Sequence, residues 1–401
     1  MKLSIHDPKF ILFLLGAMLL GGMYGAAVGE EIAWAALVGE LFLNALKMMI
    51  VPLVGSSMIL GVNQMGNSRK LGNMGAVTVT YYLFTTLIAV ITGLVLVNII
   101  QPGVGTEVVV QSVRETGAYS FLDVVRGIVP ENIIHVMASG DVLPLIFFSL
   151  FFGIVLNQLR DRATVVLNFF EGLFEISMKM TQYIIFTAPL GIFGLVAARL
   201  GQAGGWAAFQ DELARLAMYA ITVISGLLIH AVIILPLLYF LFLKKSPLRY
   251  FRQMSEAIVT AFSTASSSAT LPLTMECAEE NAGIRQSSAS FVLPLGATVN
   301  MDGTALYEAV AAMFIAQLYG IDLSMADQLV IVLTATLAAI GAAGIPEAGL
   351  VTMILVLHSV GLPTEGIGAI LAIDWFLDRI RTAVNVWGDS VGAAVVDKVT
   401  Q

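Results

Sequence analysis

Several stretches of this chain approach or reach the roughly twenty consecutive apolar residues that cross the hydrocarbon of a bilayer as a helix. Phe10 to Val28, Val77 to Ile100, Leu143 to Leu156 and Ala220 to Phe242 are of this kind. A soluble core has no use for so many, so lipid is the solvent for most of the chain. The totals agree: 58% of the 401 residues are hydrophobic and 12% charged, whereas a soluble domain is roughly half apolar and a quarter charged.

Charge placement then orients the chain. The net charge of -8 argues against a nucleic-acid partner. Basic clusters at Lys2 and Lys9, Arg69 and Lys70, Arg160 and Arg162, and Lys244 to Arg252 fall between apolar segments at alternate turns of the chain. By the positive-inside rule they mark the cytoplasmic side. Phe10 to Val28 also has the look of a signal peptide, with small residues near Ala26 and Ala27. A second apolar segment follows almost at once, however, and a retained first helix keeps the basic clusters where they belong, so cleavage is not expected. The single cysteine, Cys277, rules out an intrachain disulfide, and His6, His135, His230 and His358 lack ligand spacing for zinc.

The two parts of the chain differ in character. Up to about Lys245 the pattern is six long helices, broken mainly by Gly and short polar loops, and on pattern alone it is scaffold. Gln101 to Gly105 give turn signals and open a polar excursion to about Asp141, expected outside. Beyond Lys245, apolar segments are interrupted by Ser, Gly and Pro. Two interruptions stand out, Ser266 to Pro272 and Gly341 to Gly349. Non-helical backbone cannot face lipid, because each unsatisfied polar group costs several kcal/mol, so it must be buried or line a cavity. Re-entrant hairpins meet that demand. Each is followed by a helix carrying Asn and Asp, in Asn300 to Thr304 and in Asn385 to Asp389. Paired broken segments point to a transporter's midplane site. Ser and Gly easing helix packing explain a single interruption as well, but not the pair.

The last apolar segment, from about Ile367, contains Asp374, Asp378, Arg379, Arg381, Asn385 and Asp389. Facing lipid, the ionisable ones would cost roughly 2.5 to 3.5 kcal/mol each, ~12 to 18 kcal/mol together, so they must face protein, water, ions or solute. Asp378, Thr382, Asn385 and Asp389 follow one another at four, three and four residues, which is one stripe of a helix, with Arg381 beside it. An acidic amino acid needs an anion for its ammonium group, a donor for its carboxylate and a cationic fork for its side chain. Asp378, Asn385 and Arg381 offer these three; an Asp/Arg network locking two helices is the alternative. Asp302 and Asp389 adjoin Gly, where the backbone can leave the helix, and with Asn300 they offer hard oxygen atoms to a cation. Helix capping is the other use of such residues.

These residues resemble the glutamate/aspartate transporters, the dicarboxylate/amino acid:cation symporters that include the excitatory amino acid transporters, an archaeal member of which illustrates inverted repeats. The likeness runs from the first helix to the last and is most specific at Ser266 to Pro272, Asn300 to Thr304, Gly344 to Gly349 and Asp374 to Asp389. It implies an all-α polytopic membrane protein with eight transmembrane helices, two re-entrant helical hairpins, inverted repeats and an elevator-type mechanism, assembled as a homotrimer. It divides the chain into scaffold helices 1–72, a third helix and outer loop 73–140, helices four to six 141–245, and a transport core 246–401. The third and sixth helices then move with the core, which revises the scaffold reading for them.

By the same resemblance the substrate contacts are Ser266, Ser267, Ser268, Thr304, Gly344, Ile345, Gly349, Asp378, Arg381, Thr382 and Asn385, and the second hairpin is the gate. Sodium is held by Tyr82, Thr85, Thr86, Gly296, Thr298, Asn300, Asp302, Ala339, Ile340, Ala342, Asn385 and Asp389. Arg381 favours acidic over neutral amino acids, and Asp378, poised for an ammonium group, counts against dicarboxylates. The archaeal pattern has Arg where Ala265 stands and Gln where Glu308 stands; here the arginine is Arg379, as in excitatory transporters. Glu308 is therefore expected to carry a proton, and Glu308 with Arg379 to serve a potassium-dependent return step, a static ion pair being the alternative.

The expected function is sodium-coupled symport of L-glutamate or L-aspartate, with proton coupling and potassium countertransport as extensions, across a cell membrane with both termini cytoplasmic. No resident cofactor is expected, and the partners are substrate, sodium and the lipid bilayer. A C4-dicarboxylate or neutral amino acid symporter of the same fold is the nearest alternative. An anion or ion channel is the rival from another class, since re-entrant hairpins also build filters. No nucleophile, His and acid are grouped as an enzyme would need.

Overall fold

The computed structural model describes residues 8–28, 33–49, 51–53, 55–56, 58–60, 72–105, 129–139, 142–203, 206–341 and 348–400, and among these every regular element is a helix. In chain order the first are α1 (Pro8–Val28), α2 (Ala33–Met48), α3 (Gly72–Ile100), α4 (Ile133–Ser139), α5 (Val142–Leu159), α6 (Thr164–Phe186), α7 (Ala188–Ala203), α8 (Trp206–Ile229) and α9 (Leu235–Leu243). Then come α10 (Pro247–Thr264), α11 (Ser267–Glu276), α12 (Gln286–Val299), α13 (Asp302–Leu318), α14 (Met325–Gly341), α15 (Ala348–Ser359) and α16 (Ile367–Val399).

Three spans among the described residues are long and apolar enough to cross a membrane: Ala33–Leu60, Asn73–Ile100 and Leu213–Leu243. A fourth counts if α6 and the first part of α7, bent by 54°, are taken together. Large apolar side chains such as Ile91, Val165, Phe169 and Val232 are exposed on these helices, as a lipid-facing surface requires. The α1 and α2 helices pack against α7, while α3 and α8 pack against α13 and α16.

The second part of the chain is built of shorter helices, and local chemistry sets their ends. Lys244 adopts a left-handed conformation that stops α9, and Ser246 then accepts the Arg249 N–H, with Pro247 in the first turn, to start α10. At the other end of α10 the chain turns through Ala265 (φ 51°). Thr264 Oγ1 accepts the Ser266 N–H at 3.2 Å, and Ser266 Oγ accepts the Ala269 N–H at 3.1 Å, so one cap begets the next. The α11 segment folds back on α10, which brings Asn281 against Gln253 through a reciprocal pair of side-chain hydrogen bonds. The interruption at Ser266 is thus a helical hairpin, as its sequence suggests.

Ser324 and Asp327 form a reciprocal cap that starts α14. The α14 and α15 helices pack together, with Thr334 Oγ1 3.1 Å from Ser359 Oγ. Their connection, 342–347, lies outside the described residues, as do the candidate site residues Ala342, Gly344 and Ile345. At the centre runs α13, of which every residue but Gln317 is buried. It touches α3, α8, α14, α15 and α16, as expected of a helix with apolar residues on every side.

At one end of this core Arg285, just before α12, clasps the end of α16. Its Nε donates to Asp397 Oδ1 at 2.6 Å and its Nη2 to the Asp397 carbonyl at 2.8 Å, while Ser288 Oγ donates to the same carboxylate at 2.7 Å. Arg285→Ala is expected to lower stability by about 1 kcal/mol, since the guanidinium is 42% exposed and water screens the pair. Thermal unfolding of the purified protein in detergent reads this as a lower midpoint, with Arg285→Lys recovering part of the loss.

Candidate functional site

The break between α12 and α13 is where the site begins. Asn300 and Met301 are non-helical, so α13 opens with Asp302 in its first turn, where unpaired N–H groups and the helix dipole favour a negative charge. Asn300 and Asp302 are both fully buried. From α3, Thr85 Oγ1 lies 3.2 Å from Asn300 Oδ1, and Thr86 Oγ1 donates to Asp302 Oδ1 at 2.7 Å. From α16, Asp389 Oδ1 accepts Asn300 Nδ2 at 2.9 Å. Tyr82, its hydroxyl donating to the Val292 carbonyl at 2.8 Å, closes the same region.

Gly296 presses its backbone into the cage so closely that a Cβ there would sit 2.6 Å from Tyr82 Oη and 2.5 Å from Asp389 Oδ1. Six of the residues expected to hold sodium, Tyr82, Thr85, Thr86, Asn300, Asp302 and Asp389, therefore meet in one buried oxygen-rich cluster, with Gly296 against it. Thr298 is only partly buried and its hydroxyl is spent on the Leu295 carbonyl. Ala339 and Ile340 are buried near the end of α14.

One expectation needs correction. The backbone does not leave the helix at Asp389: α16 runs unbroken from Ile367 to Val399. Gly388 serves close approach instead, since a Cβ there would sit 3.1 Å from both Asn300 Nδ2 and Asp302 Oδ2. The aspartate reaches the cage because α16 passes against the α12–α13 break.

One turn and more toward the start of α16 lies a second charged group. Arg381 is fully buried. Its Nη2 donates to Asp378 Oδ1 at 2.8 Å and lies 3.0 Å from Asp374 Oδ1, and its guanidinium carbon sits 3.8 Å from the centre of the Tyr307 ring. Arg381 Nε and Nη1 have no hydrogen-bond partner among the described residues. Nη1 points at the start of α15, where a Cβ on Gly349 would meet it at 3.0 Å and Thr304 Cγ2 at 3.2 Å. The Asp/Arg network exists, but it engages Nη2 alone and leaves Nε and Nη1 unused among the described residues.

Asn385 bridges the two groups. Its Oδ1 accepts the Gly303 N–H at 2.8 Å, and its Nδ2 lies 3.3 Å from Thr304 Oγ1. Thr382 Oγ1 donates to the Asp378 carbonyl. On the first hairpin, Ser266 and Ser267 are buried and Ser268 is exposed; α11 packs against α16. Ser268 and Thr298 border a cavity of about 380 Å³ between α11 and α12 that no residue of α16 lines.

Glu308 and Arg379 do not pair. Arg379 Nη1 donates to the Ser263 carbonyl at 2.5 Å and the Phe262 carbonyl at 3.2 Å, tying α16 to the last turn of α10. Glu308 is fully buried beside Thr352, and neither carboxyl oxygen makes a well-formed hydrogen bond among the described residues.

Sequence reasoning missed three participants. Tyr307 had no local signal, and Asp374 was one of several acids with no role attached. His230 was set aside for want of ligand spacing, because its partner is remote: Nε2 lies 2.9 Å from Asp302 Oδ2, 72 residues on. The signal that could have found it is an ionisable residue inside an apolar span, which is a functional candidate by default.

A helical bundle that buries a half-open guanidinium beside an oxygen-lined cage is built as an ion-coupled solute carrier. The chain belongs to the Sodium:dicarboxylate symporter family, whose sequence profile matches residues 10–399, and it is thus a multi-pass membrane transporter and not an enzyme. It is 41% identical to an "Excitatory amino acid transporter" of Caenorhabditis elegans, over 98% of this chain and 88% of that one. It is 40% identical to human "Excitatory amino acid transporter 3", over 100% and 87%, and 37% identical to mouse "Excitatory amino acid transporter 4", over 99% and 84%.

Gly296→Ala is expected to force Tyr82 or Asp389 out of the cage. Titrated with sodium at constant ionic strength, the purified variant should show little or none of the wild type's rise in unfolding midpoint.

Proposed function

We infer that the protein is a sodium-coupled secondary active symporter of acidic amino acids, L-glutamate or L-aspartate. The observation that carries this reading is the fully buried Arg381, held at Nη2 by Asp374 and Asp378, with Nη1 unpartnered among the described residues and facing Gly349. A buried guanidinium whose Nη1 is left without a hydrogen-bond partner offers a charge-assisted donor to a side-chain carboxylate. Asp378 receives the ammonium group, and Asn385 with backbone N–H groups at the start of α11 receives the α-carboxylate.

Charge explains the coupling. One guanidinium against two carboxylates leaves this pocket formally one unit negative, and an acidic amino acid adds another. Asp302 and Asp389 make the neighbourhood more negative still. In so buried a place the solute is admitted only with cations beside it, and the oxygen cage of Thr85, Thr86, Asn300, Asp302 and Asp389 is where sodium sits.

The wider mechanism follows the family resemblance. Eight spans and two re-entrant hairpins, α10–α11 and α14–α15, surround the site, with both termini cytoplasmic in a cell membrane. The packing of α3 and α8 on α13 and α16, and of α1 and α2 on α7, supports a moving core of 246–401 with the third and sixth helices, set against a scaffold. The core travels as an elevator within each protomer of a trimer, and the second hairpin gates it. Glu308, buried without a strong partner, carries a proton inward, and the separate tethering of Arg379 leaves that carboxyl unpinned for a potassium-dependent return.

Radiolabelled aspartate and glutamate uptake into proteoliposomes tests the whole. Concentrative, saturable uptake that requires external sodium is expected, and its absence would remove the symport reading; passive, non-accumulating flux would favour a channel. Arg381→Cys should abolish acidic uptake while sparing or creating neutral amino acid uptake, and equal loss for every substrate would point to a folding role.

With proton symport, wild-type uptake should quicken when the outside is more acidic than the inside and slow as external pH rises. Glu308→Gln should take up substrate independently of that gradient. An unchanged pH dependence in the variant would refute the proton role.

A further inference from the structure

We propose that His230, set by a widened turn between α8 and α9, is a positioning residue that holds the Asp302 carboxylate for the cation. The inference rests on the sodium symport reading and extends the site by one residue and one structural element.

Three observations combine. First, the helix does not run regularly from α8 into α9: His230–Ile234 form a π turn, the wider winding that recurs at functional sites. The extra residue rotates His230 toward α13. Second, the turn is fixed from outside by α16, because Trp387 Nε1 donates to the Ala231 carbonyl at 3.0 Å, and Trp387 is itself almost completely buried. Third, His230 is fully buried and its Nε2 lies 2.9 Å from Asp302 Oδ2, while Nδ1 has no partner among the described residues. With a carboxylate as acceptor, Nε2 carries the hydrogen.

The consequence is geometric. Thr86 donates to Oδ1 and His230 to Oδ2, so both oxygens of Asp302 are steadied from behind. A carboxylate has about four lone-pair directions, which leaves the others for the Asn300 and Asp389 side of the cage. Outer partners of this kind orient a ligating group, and their loss costs about 10–100-fold in cation affinity. The same Trp387 also ties the turn to the helix that carries Asp389, so the two cage carboxylates are held in register through one indole.

The test reads sodium binding directly, without transport. The unfolding midpoint of the purified full-length protein is titrated with sodium chloride against choline chloride, with no amino acid present. For His230→Ala the half-effective sodium concentration should rise about 10-fold or more. His230→Gln, whose amide nitrogen reaches the Nε2 position, should stay within about threefold of wild type. His230→Asn, too short to reach, should resemble the Ala variant, and it carries the comparison with Gln if the Ala variant does not fold. A wild-type titration in His230→Ala or His230→Asn would overturn the assignment, and so would equal loss in Gln and Asn, which would mark a packing role. A wild type indifferent to sodium would instead defeat the symport reading, and this inference with it.

Discussion

A charged group buried where neither water nor lipid headgroups can reach must find its counter-charge within the protein or its cargo. Everything distinctive about the second part of this chain follows from that constraint. Arg381 draws Asp374 and Asp378 onto its own helix face. Asp302 draws Thr86 and His230, and Asp389 draws Asn300. One guanidinium serves two carboxylates, and among the described residues the cage around Asp302 and Asp389 contains no Lys or Arg. The structure stores a deficit of positive charge in its centre, and ions supplied from solution are the natural means of meeting it.

The backbone provides the means to gather these groups. A continuous α13 starting earlier would bury its first-turn N–H groups within the helix. Interrupting it at Asn300 and Met301 frees them, and Asn385 takes the one on Gly303. The turn at Ala265 and the caps at Thr264 and Ser266 do the same for the first hairpin. Such departures from helix are tolerable at this depth only because α16 and α13 cover them.

How much of this could be read from residues alone depended on whether a partner was near in sequence. The stripe Asp378, Thr382, Asn385, Asp389 was legible because helical spacing converts sequence into direction, and all four are buried on α16. The first hairpin was legible because Ser266 to Pro272 interrupt an apolar segment that is then too broken to be one spanning helix. Asp389 misled, since a neighbouring Gly can mean either a break or close packing, and only the passing chain decides between them. His230 and Tyr307 were not legible, because their roles arise from contacts with residues far along the chain. The widened turn that presents His230 has no compositional mark within a run as apolar as Leu227 to Leu243.

The unbroken course of α16 has a mechanical corollary. Asp378 and Asp389 lie eleven positions apart on one rod, about 16 Å along its axis at 1.5 Å per residue. On the proposed assignment no hinge separates the place for the amino acid from the place for the ion, so their spacing is as fixed as two rungs of a ladder. Occupancy of one end of that rod can be felt at the other only by tilting the whole of it or by altering what leans against it, so under the proposed elevator both loads would move in a single stroke.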